Sequence, residues 1–535
     1  MFVTSAGVGF AAQSLARPGE EVEEELQQEK KEPKIENNTL TEPAKKEEVK
    51  FTIKKIRLDA EELDLDKEDL AEILEDTVDR ELTLKELNET VAKVTAYSRK
   101  HGYPASAAYL PAQTSTDGTV VIKLIPGKYG QVKLDNQSKL KDSIARSFTD
   151  GLKPDTPVKS GKLQTTLYSL SDLSGTKAVG VLSPGKEFGT SDLTVRIEDG
   201  KESNTVVYAE NYGSKNSGRY RYGLQHSVYD LGGTGGKLNV GTLISNNHLR
   251  NYYINYETLV GRGGTTLGLG FSRMDYKLGG VLRQWGANGT ANTVSVFGSR
   301  PIFHHTDKKL RFTYGYNYRD LRDDLDFLGG LGKGKKHSHG FHAGLDGYLR
   351  GKGQSLDWAV NVTTGTVGMD SYYTEQLNTL NHTEGRFTKA EFNLTGVQSL
   401  GHETDFVLKL SGQKASHNLD GSEEIYLGGA NAIRAYPQGE GSGDEGVLGT
   451  AELRWHTPFL RGLTLSTYFD AGHVKISKSF GESETLKGWG ISASYTEPNN
   501  WFARIDYARR IGDHALLTDA AQARGRVWFI LGKIW

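Results

Sequence analysis

A glycine-rich stretch at residues 426–446, YLGGANAIRAYPQGEGSGDEG, gathers an arginine, an aromatic ring and an acidic pair. It is too rich in glycine for a strand and too long for a turn. Within it, Ile433-Arg434-Ala435-Tyr436-Pro437 sets a guanidinium near a phenol, and Gly443-Asp444-Glu445-Gly446 follows. A guanidinium presents a planar fork of donors that fits a carboxylate, so the chemistry on offer is a bidentate ion pair. A phosphate cradle is excluded, because no Gly-Lys-Ser/Thr follows the glycines. Downstream, Phe469-Asp470-Ala471-Gly472 supplies a carboxylate. Period two over 463–474 groups Asp470 with Thr464 and Ser466, opposite Leu463, Leu465 and Phe469. His337, His339 and His342 lie close together and His304-His305 are adjacent, but no carboxylate or cysteine completes a metal-ligand spacing. They read as rim histidines. No Ser/His/Asp order or paired-carboxylate pattern stands out. The expectation is no catalytic residue, no cofactor, no resident metal and no enzyme.

Composition narrows the elements that position these groups. The chain has 535 residues and a formal net charge of −2, which speaks against a bulk nucleic-acid binder. It holds no cysteine, so disulfides and thiolate chemistry are excluded. Glycine (64) and tyrosine (25) are abundant while proline (13) and methionine (3) are scarce, a bias that suits β-barrels with aromatic girdles. No run of about 18 apolar residues occurs, so no transmembrane helix is expected. A closed barrel is the other structure that satisfies its backbone inside a bilayer. Residues 1–18 are expected to hold a signal-peptide remnant: they are mildly apolar and Ser14-Leu15-Ala16 resembles a cleavage site, although no basic residue precedes Arg17.

Along the chain, residues 19–48 are crowded with Glu and Lys. Residues 20–31 read as a short polar helix ended by Pro33, and a linker follows. Two units then repeat one order, over 49–126 and 127–199. In the first, a strand at 51–58 precedes a helix at 66–78. A second helix opens on Thr83-Leu84-Lys85-Glu86, a capping box, with Leu87, Val91, Val94 and Tyr97 as its stripe. Strands at 107–110 and 119–125 close the unit. In the second, a strand at 131–134 and helices at 140–148 and from Ser160 precede strands at 178–182 and 193–197. Each unit is β-α-α-β-β, a small α+β module suited to binding.

From residue 200 to 535 the helical period gives way to period two. Tyr220, Tyr222 and Leu224 alternate with Arg219, Arg221 and Gln225. Trp501, Ala503, Ile505 and Tyr507 alternate with Arg504, Asp506 and Arg510. A soluble sandwich also alternates, but these segments run to about ten residues and arginines crowd their polar face, which points to an aqueous lumen inside a lipid-facing band. About sixteen such segments fit, at roughly 21 residues per strand with its connection. The chain ends RGRVWFILGKIW, with Val527, Phe529, Leu531 and Trp535 on one face. The predicted fold is therefore a membrane all-β barrel of about sixteen antiparallel strands behind two small α+β domains.

Two such modules, a barrel of that size, and a long glycine-rich loop bearing an arginine and an aromatic ahead of Gly-Asp-Glu-Gly together resemble the two-partner secretion transporters. These are POTRA-plus-barrel proteins of the bacterial outer membrane. The resemblance covers essentially the chain after residue 49. It implies that the loop over 417–446 folds back into the lumen, with Ile433-Arg434-Ala435-Tyr436 at its tip and Ala435 standing where the family has glycine. It further implies that Arg434 pairs with Asp470, and that residues 20–31 plug the barrel at rest. The modules would capture an unfolded exoprotein, adhesin- or haemolysin-like, by strand addition. The final strand ending at Trp535 would be read by the assembly machinery, lipid would surround the barrel, and no nucleic acid would be involved. The alternatives are a factor that inserts other barrels, which would carry three or more modules, and a passive porin or receptor, which has no need of two. An ordinary flexible extracellular loop is the plain alternative for 426–446.

Overall fold

A computed structural model describes residues 35–37 and 50–535, apart from 61, 115–116, 174, 480, 514–515 and 517–521. The expected signal-peptide remnant (1–18) and plug helix (20–31) lie outside the described residues. An extended piece, β1 (Ile35–Asn37), comes first. The first module holds β2 (Lys50–Thr52), β3 (Lys55–Asp59), α1 (Lys67–Glu75), β4 (Glu81–Thr83), α2 (Leu84–Lys100), β5 (Ala107–Tyr109) and β6 (Thr119–Ile125). The second holds β7 (Lys128–Asn136), α3 (Asp142–Thr149), α4 (Ser160–Asp172), β8 (Thr176–Pro184) and β9 (Thr190–Asp199).

The capping box forms as its spacing predicts. Thr83 Oγ1 accepts from the Glu86 amide at 3.2 Å and Glu86 Oε2 accepts from the Thr83 amide at 2.7 Å, closing two open donors at the start of α2. Leu87, Val91 and Val94 then bury on one stripe. The single strand expected at 51–58 is instead two. β2 pairs antiparallel with β4, whereas β3 pairs parallel with β6. Between them the chain bends so that Ile53 fills the core beside Leu82 and Leu87, while the Lys54 amide donates to the Gly118 carbonyl.

Beyond residue 200, sixteen strands close on themselves. They are β10 (Ser203–Glu210), β11 (Arg221–Tyr229), β12 (Lys237–Ser245), β13 (Arg250–Leu259), β14 (Thr266–Lys277), β15 (Ala287–His304), β16 (Lys308–Leu325), β17 (Lys333–Gly351), β18 (Gln354–Met369), β19 (Gly385–Gly401) and β20 (Thr404–Ala415). A small hairpin, β21 (Ile425–Tyr426) with β22 (Ser442–Gly443), interrupts the series. β23 (Glu445–His456), β24 (Leu463–Lys475), β25 (Ser483–Thr496), β26 (Trp501–Arg510) and β27 (Gly525–Ile534) complete it, β27 pairing with β10. All sixteen are antiparallel neighbours and the sheet closes on itself, so no strand is left as an open edge.

Burial inverts the rule of soluble proteins. Tyr222 and Leu224 are exposed on the outer face while Arg221 and Gln225 are buried on the inner one. Trp501, Ile505 and Tyr507 likewise face outward and Asp506 inward. Lipid outside and a polar interior account for both halves of the pattern. The interior is not uniformly polar, however: Val206, Phe502, Trp528, Ile530 and Ile534 form a buried apolar cluster at the closing strands, against Ala430 of the loop. One helix, α5 (Tyr372–Asn381), joins β18 to β19, where only strands were expected; Ser371 caps it. The second module meets the barrel at several of its turns, among them that from β15 to β16. There Tyr168 of α4 stacks on His304 at 4.4 Å, and Asp172 Oδ2 accepts from Lys309 Nζ at 3.0 Å and lies 2.9 Å from His304 Nδ1.

Candidate functional site

The chain between β20 and β23 returns into the barrel, so the loop spans 416–444 rather than the expected 417–446. Its stem is the two-residue pairing Ile425↔Gly443 and Tyr426↔Ser442. Beyond the stem, main-chain bonds fold the tip on itself: Leu427 N to Gly441 O, Gly428 N to Glu440 O, and Ile433 N back to Leu427 O. The backbones come close at Gly428, where a Cβ would stand 2.5 Å from the Pro437 carbonyl oxygen. This compact tip buries Leu427, Ile433, Ala435 and Tyr436 against Tyr468, Leu486 and Ala508 of the wall.

Arg434 is the centre of the arrangement, and only 3% of it is exposed. Its Nη2 donates to Asp470 Oδ1 at 2.8 Å and its Nε to Oδ2 at 3.0 Å, a bidentate fork. The Arg434 main-chain amide adds a third bond to Oδ2 at 3.1 Å. Nη1 reaches Asp506 Oδ1 at 3.3 Å and lies 3.9 Å from Glu452 Oε2. The guanidinium carbon sits 3.1 Å from the centre of the Tyr468 ring, a cation–π contact. Finally, Trp528 Nε1 donates to the Arg434 carbonyl at 2.6 Å. The tip is thereby tied to β23, β24, β26 and β27 together.

Alternation brings the partners to one place. Tyr468 and Asp470 share the inner face of β24, Asp506 that of β26, and Thr450 and Glu452 that of β23. Arg454 pairs with Glu452 (3.0 Å) and Arg504 with Asp506 (2.8 Å), so three guanidiniums oppose three carboxylates. A balanced, fully bonded cluster avoids the large penalty of a lone buried charge. Ala435, where the resemblance leads one to expect glycine, lies outside the left-handed region of backbone space. Its methyl group is accommodated by Gly488 on β25, where a Cβ would come within 2.4 Å.

Gly443, Asp444, Glu445 and Gly446 lie at the root of the loop, where it joins β23, and not at its tip. Asp444 is buried; Oδ1 accepts from the Leu419 amide (2.7 Å) and Oδ2 from the Lys478 amide (2.9 Å). Glu445 takes Lys478 at 2.6 Å and Lys414 at 2.9 Å. The Lys478 bonds fasten the root of the loop to the β24–β25 connection, while Leu419 and Lys414 tie it to the loop's own first turn and to β20. Farther along the root, Asp420 pairs with Lys336 at 2.8 Å and Glu423 with Lys389 at 3.1 Å. Asp506, Glu452, Trp528 and these root pairs were not singled out from the sequence, although Asp506 already stood on the polar face of its strand. Among the histidines, His337 pairs with Asp370 (2.8 Å) and His339 with Tyr316 (2.6 Å). Among the described residues no group of acidic residues and histidines is arranged to hold a metal ion.

Comparison with known proteins places this geometry. The family model for haemolysin secretion/activation proteins ShlB/FhaC/HecB matches residues 189–495, and that for the ShlB-type POTRA domain matches 51–127. The heme/hemopexin transporter protein HuxB of Haemophilus influenzae is 26% identical over 491 residues, covering 89% of this chain and 86% of that one. The outer membrane transporter CdiB of Dickeya dadantii is 21% identical over 475 residues, covering 85% and 81%. Among solved structures, CdiB from Escherichia coli aligns over 99% of this chain and 98% of its own with a TM-score of 0.72 at 18% identity. The chain therefore belongs to the ShlB/FhaC/HecB family and is an outer-membrane translocator that exports an exoprotein partner, its POTRA modules lying in the periplasm.

Proposed function

We propose that this translocator is held closed at rest by its own returning loop, with Arg434, Tyr436 and Asp470 as the lock. In this reading the chain divides at 49, 127 and 200 into two periplasmic modules and a barrel, preceded by a leader remnant (1–18) and a plug helix with its linker (19–48). The modules take up the unfolded exoprotein, the plug and loop yield, and the lumen passes the chain outward. Folding of the exported chain outside supplies the drive. Gly443, Asp444, Glu445 and Gly446 anchor the root of the loop so that its tip swings from a fixed point. The outward face of the last strand, ending at Trp535, serves as the signal for insertion of the barrel itself.

The observation that carries the reading is a guanidinium buried inside a barrel against carboxylates from three strands. A static pore has no use for such a costly arrangement, because a hydrophobic replacement would hold a permanent plug as well or better. An ionic lock, in contrast, can be exchanged for water when a polar chain enters. Arg434→Ala is expected to abolish secretion while leaving a folded, inserted barrel. A culture-supernatant blot beside heat-modifiable gel mobility tests this; undiminished secretion would remove Arg434 from the lock.

A further inference from the structure

The strand β1 belongs to no module by sequence position, yet it completes the second module's sheet. The order there is β1-β8-β9-β7. β1 runs parallel to β8, with Ile35 opposite Gly180, Glu36 opposite Val181 and Asn37 opposite Leu182. Without it, β8 would be an edge strand presenting an open row of amides and carbonyls. The coverage is partial: three residues pair with a strand of nine, Thr176–Pro184. Residues 38–49 join β1 to β2, so it is presented to β8 from the same chain at high effective concentration.

We propose that residues 35–37 are a resident placeholder on the β8 edge, and that an extended segment of the exoprotein takes this edge in their place, lying parallel to β8. This rests on the exporter reading above and adds which edge receives the cargo and what occupies it beforehand. Three features favour an unfolded polypeptide as the occupant. The edge demonstrably accepts an extended chain in parallel register. Main-chain pairing asks little of the sequence, which suits a long and varied cargo. On the outer face of the sheet, Val179 and Val181 stand half-buried opposite Arg196 and Thr194 of β9, so alternate side chains of the occupant meet an apolar strip. A cargo segment pairing along more of β8 would outcompete three residues by forming more ladder bonds. The inner face of this strand is also the one that packs on α4, since a Cβ on Gly180 would stand 2.8 Å from Leu167 Cδ1. That helix makes the contacts with the barrel turn, so the edge is held in fixed relation to the barrel entrance.

The absence of native cysteine makes the test clean. Glu36→Cys with Val181→Cys places two thiols at register partners, whose spacing in a sheet falls in the range a disulfide spans. The expected result in cells is a cross-linked full-length chain under oxidant, with release of the strain's exoprotein cut at least tenfold. Reductant should restore release, which also shows that the variant folds, and each single-cysteine variant should secrete normally throughout. A second measurement uses the synthetic peptide KEPKIENNTLT, residues 31–41. It should bind the full chain carrying Ile35→Gly, Glu36→Gly and Asn37→Gly and be excluded from the unaltered chain. Normal release from the fully cross-linked chain would overturn the placeholder while leaving the exporter reading intact, and so would failure of the cross-link to form. An unaltered chain that releases no exoprotein would overturn the exporter reading itself and this inference with it.

Discussion

Asp470→Asn is the perturbation that measures the loop lock most finely. Asp470 Oδ1 accepts from Arg434 Nη2 and from Thr450 Oγ1 (2.8 Å), while Oδ2 accepts from Arg434 Nε and the Arg434 amide. An amide keeps one acceptor oxygen. In one orientation its NH2 faces both Nε and the main-chain amide, leaving two buried donors unpaired. In the other it faces Nη2, and only Thr450 can rotate to accept. Each donor left unpaired in a buried site costs about 1–3 kcal/mol, and the neutral amide also forfeits the charge-assisted part of the pair. Asp506 and Glu452 remain beside the guanidinium, which keeps the total below that of stranding a buried charge. The sum is about 3 kcal/mol, or roughly a hundredfold in the ratio of docked to released loop.

An Ile433→Cys reporter in the cysteine-free chain reads that ratio. Residue 433 is fully buried at the docked tip, so labelling by an impermeant maleimide requires release. Because the reporter is present with and without Asp470→Asn, its own cavity cancels from the comparison. The labelling rate should rise about a hundredfold, with heat-modifiable mobility unchanged. An unchanged rate in a folded barrel would refute the assignment of Asp470 as the principal anchor.

Three further outcomes follow. Gly488→Ala adds a Cβ that would meet the Ala435 methyl at 2.4 Å, an overpacking of about 1–3 kcal/mol that should undock the tip and depress secretion; adding Ala435→Gly should restore both, as the same labelling and blot assays would read. Trp528→Phe removes the donor to the Arg434 carbonyl, about 1 kcal/mol, and should raise reporter labelling about fivefold. In the first module, Tyr97 Oη donates to Asp69 at 2.7 Å, and this bond pushes its pKa up to about 12. The folded module therefore holds that proton more tightly than the unfolded chain does. The resulting stability is present below pH about 10 and is lost as pH rises toward 12. Difference titration at the phenolate absorbance should show Tyr97→Phe deleting one late-titrating phenol, and Asp69→Asn should bring that phenol back toward 10.

Much of this was legible in the sequence because its physics is local. The alternation at 219–225, 463–474 and 501–507 needs only the pleat, and it places Arg221, Asp470 and Asp506 inward before any pairing is known. The Thr83–Glu86 box is decided by three residues of spacing. What stayed hidden depends on contacts distant in sequence. Arg434 and Trp528 meet only once the barrel closes and β27 returns to β10. The apolar inner cluster at Phe502, Trp528 and Ile530 breaks the polar-inside pattern because the loop tip packs there, and no property of those strands alone foretells it. The break at Ile53 arises because its two flanks pair with different sheets. β1 is three residues, too short to show a period, and what makes it a strand is its pairing with β8.

Whether the exported chain travels through the lumen is settled most directly by cross-linking during export. Gln225 is buried on the inner face of β11 and Tyr222, on the same strand, faces the lipid. A photo-reactive residue at each position, in cells whose exoprotein is stalled midway by a folded carboxyl-terminal fusion, compares inside with outside on one strand. Adducts with the stalled chain from position 225 and none from 222 are the predicted result. Adducts from 222 alone, or from neither while secretion proceeds, would contradict export through the barrel.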